Sequence, residues 1–164
     1  MLTFAEAHEL FEYKDGELFS KVGRGKLKKG QKIGCVNGKG YKQTLYKGKI
    51  YTIHRIIFLM QHGNLPKFID HIDGNRTNNR IENLREATHQ QNCWNMSFST
   101  RNSSGIKGVS WNKQRKQWIA QVGINGKPMY FGGYKDLELA ELVVQMAREK
   151  YHGKYTNHGV KIYG

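Results

Sequence analysis

Asp70-His71-Ile72-Asp73-Gly74-Asn75-Arg76-Thr77-Asn78-Asn79-Arg80-Ile81-Glu82-Asn83-Leu84-Arg85 is the densest polar stretch of the chain, and with Gln91-Asn92 downstream it decides the fold of the first half. Phe68 to Asn75 reads as a strand running into a turn at Asp73-Gly74. Thr88-His89-Gln90-Gln91 carries the hydroxyl and amide three apart that form a capping box, so a helix starts at Thr88 with Asn92 in its first turns. Packing gives no reason for so many asparagines. A carboxylate, an imidazole and amides gathered by a strand, a turn and a helix can hold a hard divalent cation through oxygen and activate a water beside it. Phosphodiester hydrolysis needs that pair of roles: a metal to neutralise charge on the phosphate, and a neutral imidazole to take the proton from the attacking water.

Working outward, Ile53, Ile56, Ile57 and Met60 fall at helical spacing behind Thr52, which predicts a short buried helix ended by Gly63 and Pro66. His54 sits in that helix as a structural histidine. From Tyr13 to Tyr51, short apolar runs alternate with Asp15-Gly16, Asn37-Gly38, Lys39-Gly40 and Lys47-Gly48, the rhythm of small antiparallel strands. The basic stretch Lys21, Arg24, Lys26, Lys28, Lys29, Lys32 is either a solvated loop or an arm that tracks phosphates. Asn75, Asn78, Asn79 and Asp73-Gly74 are expected as turn and cap residues.

Beyond Trp94 the chain turns polar through Ser97, Ser99, Thr100, Asn102, Ser103, Ser104 and Gly105, which reads as a linker. Three strand-like runs follow, Ile106 to Trp111, Gln117 to Ile124 and Lys127 to Gly132, with the hairpin signal Asn125-Gly126 between the last two. Asp136 caps a helix with Leu137, Ala140, Val144, Ala147 and Tyr151 on one face and Gly153 past its end. Period-two alternation turns Trp118, Ala120 and Val122 toward that helix and Gln117, Ile119 and Gln121 away from it.

Over 164 residues, 27 Lys plus Arg against 13 Asp plus Glu leave a net charge of +14. That excess suits a polyanion, because each cation that neutralises a phosphate releases condensed counterions. A hydrophobic fraction of 38% favours two small modules over one large core. Cys35 and Cys93 lie far apart, which excludes a disulfide framework or a zinc ribbon and fits a reducing, cytoplasmic setting. No apolar run approaches the roughly 20 residues that span a bilayer, and Glu6, His8 and Glu9 interrupt any secretory signal.

Asp70-His71-Ile72-Asp73-Gly74-Asn75, Asn78-Asn79-Arg80, Glu82-Asn83-Leu84-Arg85 and Gln91-Asn92 resemble the HNH nuclease motif in the form found in phage and intron-encoded homing endonucleases. The resemblance covers His54 to Asn92 and implies an α+β fold in which a two-stranded ribbon and a helix clasp one metal ion. It makes His71 the general base, Asp70 and Asn92 the metal ligands, and Asn83 the residue that orients the imidazole. Many HNH enzymes have a histidine where this chain has Asn92, so an oxygen-only site is expected, suited to Mg²⁺ or Mn²⁺ rather than Zn²⁺. His89 is the competing ligand one turn earlier. The residues from Gly105 to His158 look like an AP2 DNA-binding domain, in which the sheet lies in the major groove and the helix packs behind it. On that sheet Lys107, Trp111, Lys113, Arg115, Lys116, Gln117, Gln121, Lys127 and Tyr130 are the expected DNA contacts, while Ser110 and Pro128 stand where AP2 domains commonly carry arginines.

The expected organisation is a nuclease module over 1–96, a linker over 97–104 and an AP2-like module over 105–164. It implies a metal-dependent endonuclease of the homing kind, acting as a monomer on double-stranded DNA in the cytoplasm, that of the host if phage-encoded, without a membrane. A structure-specific or defence nuclease with the same site, and a DNA-binding regulator without chemistry, are the rival readings.

Overall fold

Ile53, Ile56 and Ile57 are almost wholly shielded from solvent on α2 (Ile53–His62), the element around which the first half of the chain is packed. Phe58, Leu59 and Met60 are buried as well, so this helix is apolar around most of its circumference, as an internal helix must be. It starts after Thr52 and stops at Gly63, whose left-handed backbone (φ 74°) lets its N–H close on the Leu59 carbonyl. The computed structural model describes residues 2–96 and 102–159 and divides the chain into two units, Met1–Glu86 and Ala87–Gly164.

In the first unit, α1 (Phe4–Leu10) is capped by a reciprocal Thr3–Glu6 box. That signal, a hydroxyl and a carboxylate three residues apart, also stands in the sequence. Two small antiparallel sheets follow. One joins β1 (Phe11–Lys14), β2 (Glu17–Ser20) and β3 (Lys32–Ile33); the other joins β4 (Cys35–Val36), β5 (Lys42–Tyr46) and β6 (Lys49–Thr52). Their tight turns at Asp15-Gly16 and Lys47-Gly48 place both central residues at positive φ, the twist that antiparallel hairpins require. Phe11, Leu18, Ile33 and Tyr46 pack against α2 in one core. The unit ends in the ribbon of β7 (Ile69–His71) and β8 (Leu84–Glu86), in register Ile69 to Glu86, Asp70 to Arg85 and His71 to Leu84.

The second unit opens with α3 (His89–Asn95), capped by Thr88 and Gln91 as the sequence indicates. Its sheet is a meander of β9 (Val109–Asn112), β10 (Gln117–Ile124) and β11 (Lys127–Tyr134), backed by α4 (Leu137–His152). The Asp136 side chain caps α4 by accepting from the Glu138 and Leu139 amides. Val109, Ala120 and Val122 meet Ala140, Val144 and Ala147 in a core of small side chains that lets sheet and helix approach closely.

The division between units falls after Glu86, ahead of the expected linker, and the cause is the anchoring of α3. The Trp94 ring stacks on His152 at 4.2 Å and its indole N–H donates to the Gly123 carbonyl at 3.1 Å. Asn157 donates to the Asn95 carbonyl at 2.7 Å. Of the expected linker, residues 97–101 lie outside the described residues. Asn102 and Ser104 are tied into the second unit through the Ile106 and Val109 carbonyls, each at 2.7 Å.

Because Ile57 is fully buried in the first core, Ile57→Ala is expected to cost that unit about 2–5 kcal/mol. Urea unfolding followed by circular dichroism measures the loss.

Candidate active site

Ribbon pairing puts Asp70 opposite Arg85, so both side chains leave the same face. The Asp70 Oδ2 accepts from Arg85 Nε at 2.8 Å and from Nη2 at 2.7 Å, a pair that holds the carboxylate in one orientation. His71, next in the strand, is 5% exposed, and Asp70 is 4% exposed.

Between β7 and β8 the chain makes a polar loop closed on itself. The Asn83 amide oxygen accepts from the Asp73 N–H at 3.0 Å, and its nitrogen donates to Asp73 Oδ1 at 2.9 Å and to the Asn78 carbonyl at 2.8 Å. Asp73 also accepts from the Asn78 side chain at 2.6 Å and from the Asn75 amide at 2.8 Å. Asn75 in turn accepts from Thr77 through both its N–H and its hydroxyl. These three residues are the turn-builders that the sequence suggests. Asn79 is not. Its side chain is 1% exposed, and its Oδ1 lies 3.0 Å from the Nε2 of His71.

The expectation for Asn83 is therefore revised in its means: it shapes the loop beside His71, while the amide on the imidazole nitrogen is that of Asn79. Sequence alone gave no way to separate Asn79 from its neighbours, since asparagine type and loop position are common to all of them.

His54 on α2 is a second buried imidazole here, its ring centroid 5.0 Å from that of His71 in an edge-on arrangement, with Tyr41 5.2 Å from His54. Its Nδ1 has no hydrogen-bond partner among the described residues, so it is not the satisfied core histidine expected. Burial first, then the neighbouring His71 and Arg55, push its pKa down to about 3. His71 is also shifted down. Burial outweighs the Asn79 hydrogen bond and the Asp73 and Asp70 carboxylates, which favour protonation. The imidazole is thus held in the neutral form that a proton acceptor needs.

Neutral buried histidines tie stability to pH. The folded-state pKa of His54 lies below its ordinary 6.5, so its contribution is fully present above about 6.5 and is lost as pH falls toward about 3. We expect denaturant stability to fall through this window, by up to about 1.4 kcal/mol per pH unit for one such group, and His54→Leu to flatten the decline. Urea midpoints at pH 7, 6 and 5 check this.

Asn92 lies half-buried on α3, in the second unit, with its N–H on the Thr88 carbonyl at 3.0 Å. His89, exposed on the same helix, has its Nε2 3.8 Å from the Cys93 sulfur. Among the described residues no group of three or more His, Cys, Asp and Glu gathers. The donor that Asp70 offers is a hard carboxylate oxygen, which fits a cation that keeps most of its waters, such as Mg²⁺ or Mn²⁺.

On the meander, register separates the expected DNA contacts. Gln121 pairs with Tyr130, and Ile119 with Ser110 and Gly133, so Gln117, Gln121 and Tyr130 share the face turned away from α4. Lys113, Arg115 and Lys116 are exposed in the β9–β10 turn and Lys127 beside the opposite turn, so the basic groups rim this face rather than line it. Two expectations need correction. Trp111 pairs directly with Trp118 and lies edge-on to it at 4.8 Å, which places it on the α4 side, 41% exposed at the sheet end. Lys107 turns inward: its ammonium donates to the Trp94 and Met96 carbonyls, each at 2.6 Å, capping the C-terminal end of α3. Burial, then Arg148, lowers its pKa to about 8. Arg148, 2% exposed, donates to the Lys107 carbonyl and was not anticipated, since charge reveals nothing of burial.

No helix among the described residues is long and apolar enough to cross a membrane. Residues 51–93 match the family model described as HNH endonuclease, a span that runs from β6 through α2 and the ribbon into α3. Protein 3.8 of Escherichia phage T7 is 39% identical over 119 residues, 71% of this chain and 95% of that protein. A protein of Acanthamoeba polyphaga mimivirus described as an uncharacterized HNH endonuclease is 34% identical over 119 residues, 71% of this chain and 60% of its own length. No solved structure matches. The family match over residues 51–93, which takes in the loop-held histidine at the end of β7, shows that this chain carries an HNH endonuclease domain, within a sequence similar to the phage protein over nearly all of that protein's length.

Proposed function

We propose that the chain is a metal-dependent DNA endonuclease of the phage-encoded homing kind, in which His71 is the general base. The observation that supports this best is a neutral, buried imidazole fixed by an amide beside a carboxylate clamped by Arg85. Asp70 and Asn92 are the proposed ligands of one Mg²⁺ or Mn²⁺, which when bound supplies positive charge to the scissile phosphate and its leaving oxygen. His71 takes the proton from the attacking water. Arg85 keeps Asp70 from rotating, and the Asn83-closed loop keeps the histidine in place. Each of these fixed contacts removes motion that would otherwise have to be frozen at the moment of reaction.

The meander with α4 is the proposed targeting module, AP2-like in its three strands and backing helix. Gln117, Gln121 and Tyr130 are the proposed contacts to base edges, and Lys113, Arg115, Lys116 and Lys127 those to phosphates. The absence of arginine from the middle of the face favours loose over stringent sequence reading.

Supercoiled plasmid incubated with the protein tests the reading. Metal-dependent open-circle or linear product is expected, and His71→Ala is expected to lower the rate by about 10²–10⁴ while DNA binding stays near that of the wild type. Undiminished cutting by His71→Ala would defeat the assignment, and binding without cleavage of any substrate would favour the regulator. For the targeting face, Lys116→Ala should weaken binding evenly across sequences and reduce the slope of log K against log salt by about 1. Lys107→Ala should instead loosen α3 and lower stability. Fluorescence anisotropy at several salt concentrations and thermal melts separate the two effects.

A further inference from the structure

We propose that Asn79 is the positioning residue that fixes His71 as its Nε2–H tautomer, leaving Nδ1 as the basic nitrogen, and that the β1–β2 hairpin is the wall that keeps Asn79 there. The inference rests on the reading of His71 as the base. An amide oxygen only accepts, so with Asn79 Oδ1 at 3.0 Å the ring must donate through Nε2. A neutral imidazole has one N–H, and the lone pair therefore lies on Nδ1. When Nδ1 takes up a proton the Nε2–H remains, now charged, and the same bond strengthens. One amide thus serves the ring both before and after proton transfer, without placing a negative charge beside it.

Three further observations support this assignment. The Asn83 amide has both its donors committed to Asp73 and the Asn78 carbonyl, so it is occupied with the loop. The Asn79 Nδ2 is buried without a hydrogen-bond partner among the described residues, a cost that a residue present only for packing would have no reason to carry. The backbone of Asn79 and Arg80 is also pinned from outside. A Cβ on Gly16 would lie 2.8 Å from the Arg80 nitrogen and 3.1 Å from the Asn79 carbonyl carbon, and Gly16 has φ +81° in its turn. The Tyr13 hydroxyl accepts from the Ile81 N–H at 3.1 Å. A hairpin distant in sequence thus closes on the segment that holds the histidine.

The test reads the tautomer directly, in protein labelled with ¹⁵N-histidine, by long-range ¹H–¹⁵N correlation. The wild type is expected to show His71 as Nε2–H. Asn79→Leu is expected to lose that tautomer's predominance and to slow single-turnover plasmid cleavage more than tenfold with DNA affinity unchanged. Asn79→Asp, which keeps an acceptor on the ring, should keep the proton on Nε2, showing that any loss in Asn79→Leu is not misfolding. Gly16→Ala should shift the His71 resonances in the same sense as Asn79→Leu. An Nδ1–H tautomer in the wild type, or an unaltered tautomer in Asn79→Leu, would overturn the proposal. A tautomer governed by Asn79 together with undiminished cutting by His71→Ala would instead overturn the assignment of His71 as base.

Discussion

A single side-chain amide closes the loop on which the site depends. Asn83 spends its oxygen and both its N–H donors on Asp73 and the Asn78 carbonyl, tying the residue before β8 to the segment that leaves β7. With those bonds made, the Ile72 N–H reaches the Asn83 carbonyl at 2.9 Å and the ribbon is held shut just beyond His71. Asp73 is the hub of the arrangement, accepting from Asn75, Asn78 and Asn83. The asparagine richness of the stretch follows from this demand: many short-range donors and acceptors are needed in a loop that has no sheet ladder to satisfy its backbone.

Electrostatics at the site is a contest that burial wins. Asp70 and Asp73 favour a protonated His71, and reading charge from sequence alone would leave the imidazole cationic. With His71 only 5% exposed, desolvation shifts it the other way, and it shifts His54 beside it in the same direction. Two imidazoles 5.0 Å apart also disfavour each other's charge. The Arg76 guanidinium pushes the same way as burial, and the imidazole is left neutral.

Much of this was legible in the sequence, and what was not has a physical reason. The Thr88–Gln91 capping box, the Asn125-Gly126 hairpin, the Asp136 cap and the spacing of Ile53, Ile56 and Ile57 are local signals, and each structure they indicate is present. The Thr3–Glu6 box is equally local, and α1 was readable from it. The roles of Asn79, Lys107 and Trp111 are not local. Asn79 differs from Asn78 only in what the rest of the chain brings against it, Lys107 only in that α3 offers it carbonyls, and Trp111 only in the register set by the turn at 113–116. Residue type announces that a hydrogen bond or a charge is available, and tertiary path decides where it is used. The boundary between units belongs to the same class, since it depends on Trp94 finding His152.

The central claim is that an imidazole at position 71 performs the proton transfer, and chemical rescue tests it most directly. His71→Gly leaves a cavity where the ring stood, and metal-dependent DNA cleavage by this variant is measured with increasing imidazole in solution. The account predicts an inactive variant whose cutting returns as the free-base form of imidazole rises. Cleavage by His71→Gly at the wild-type rate without any added imidazole would contradict it.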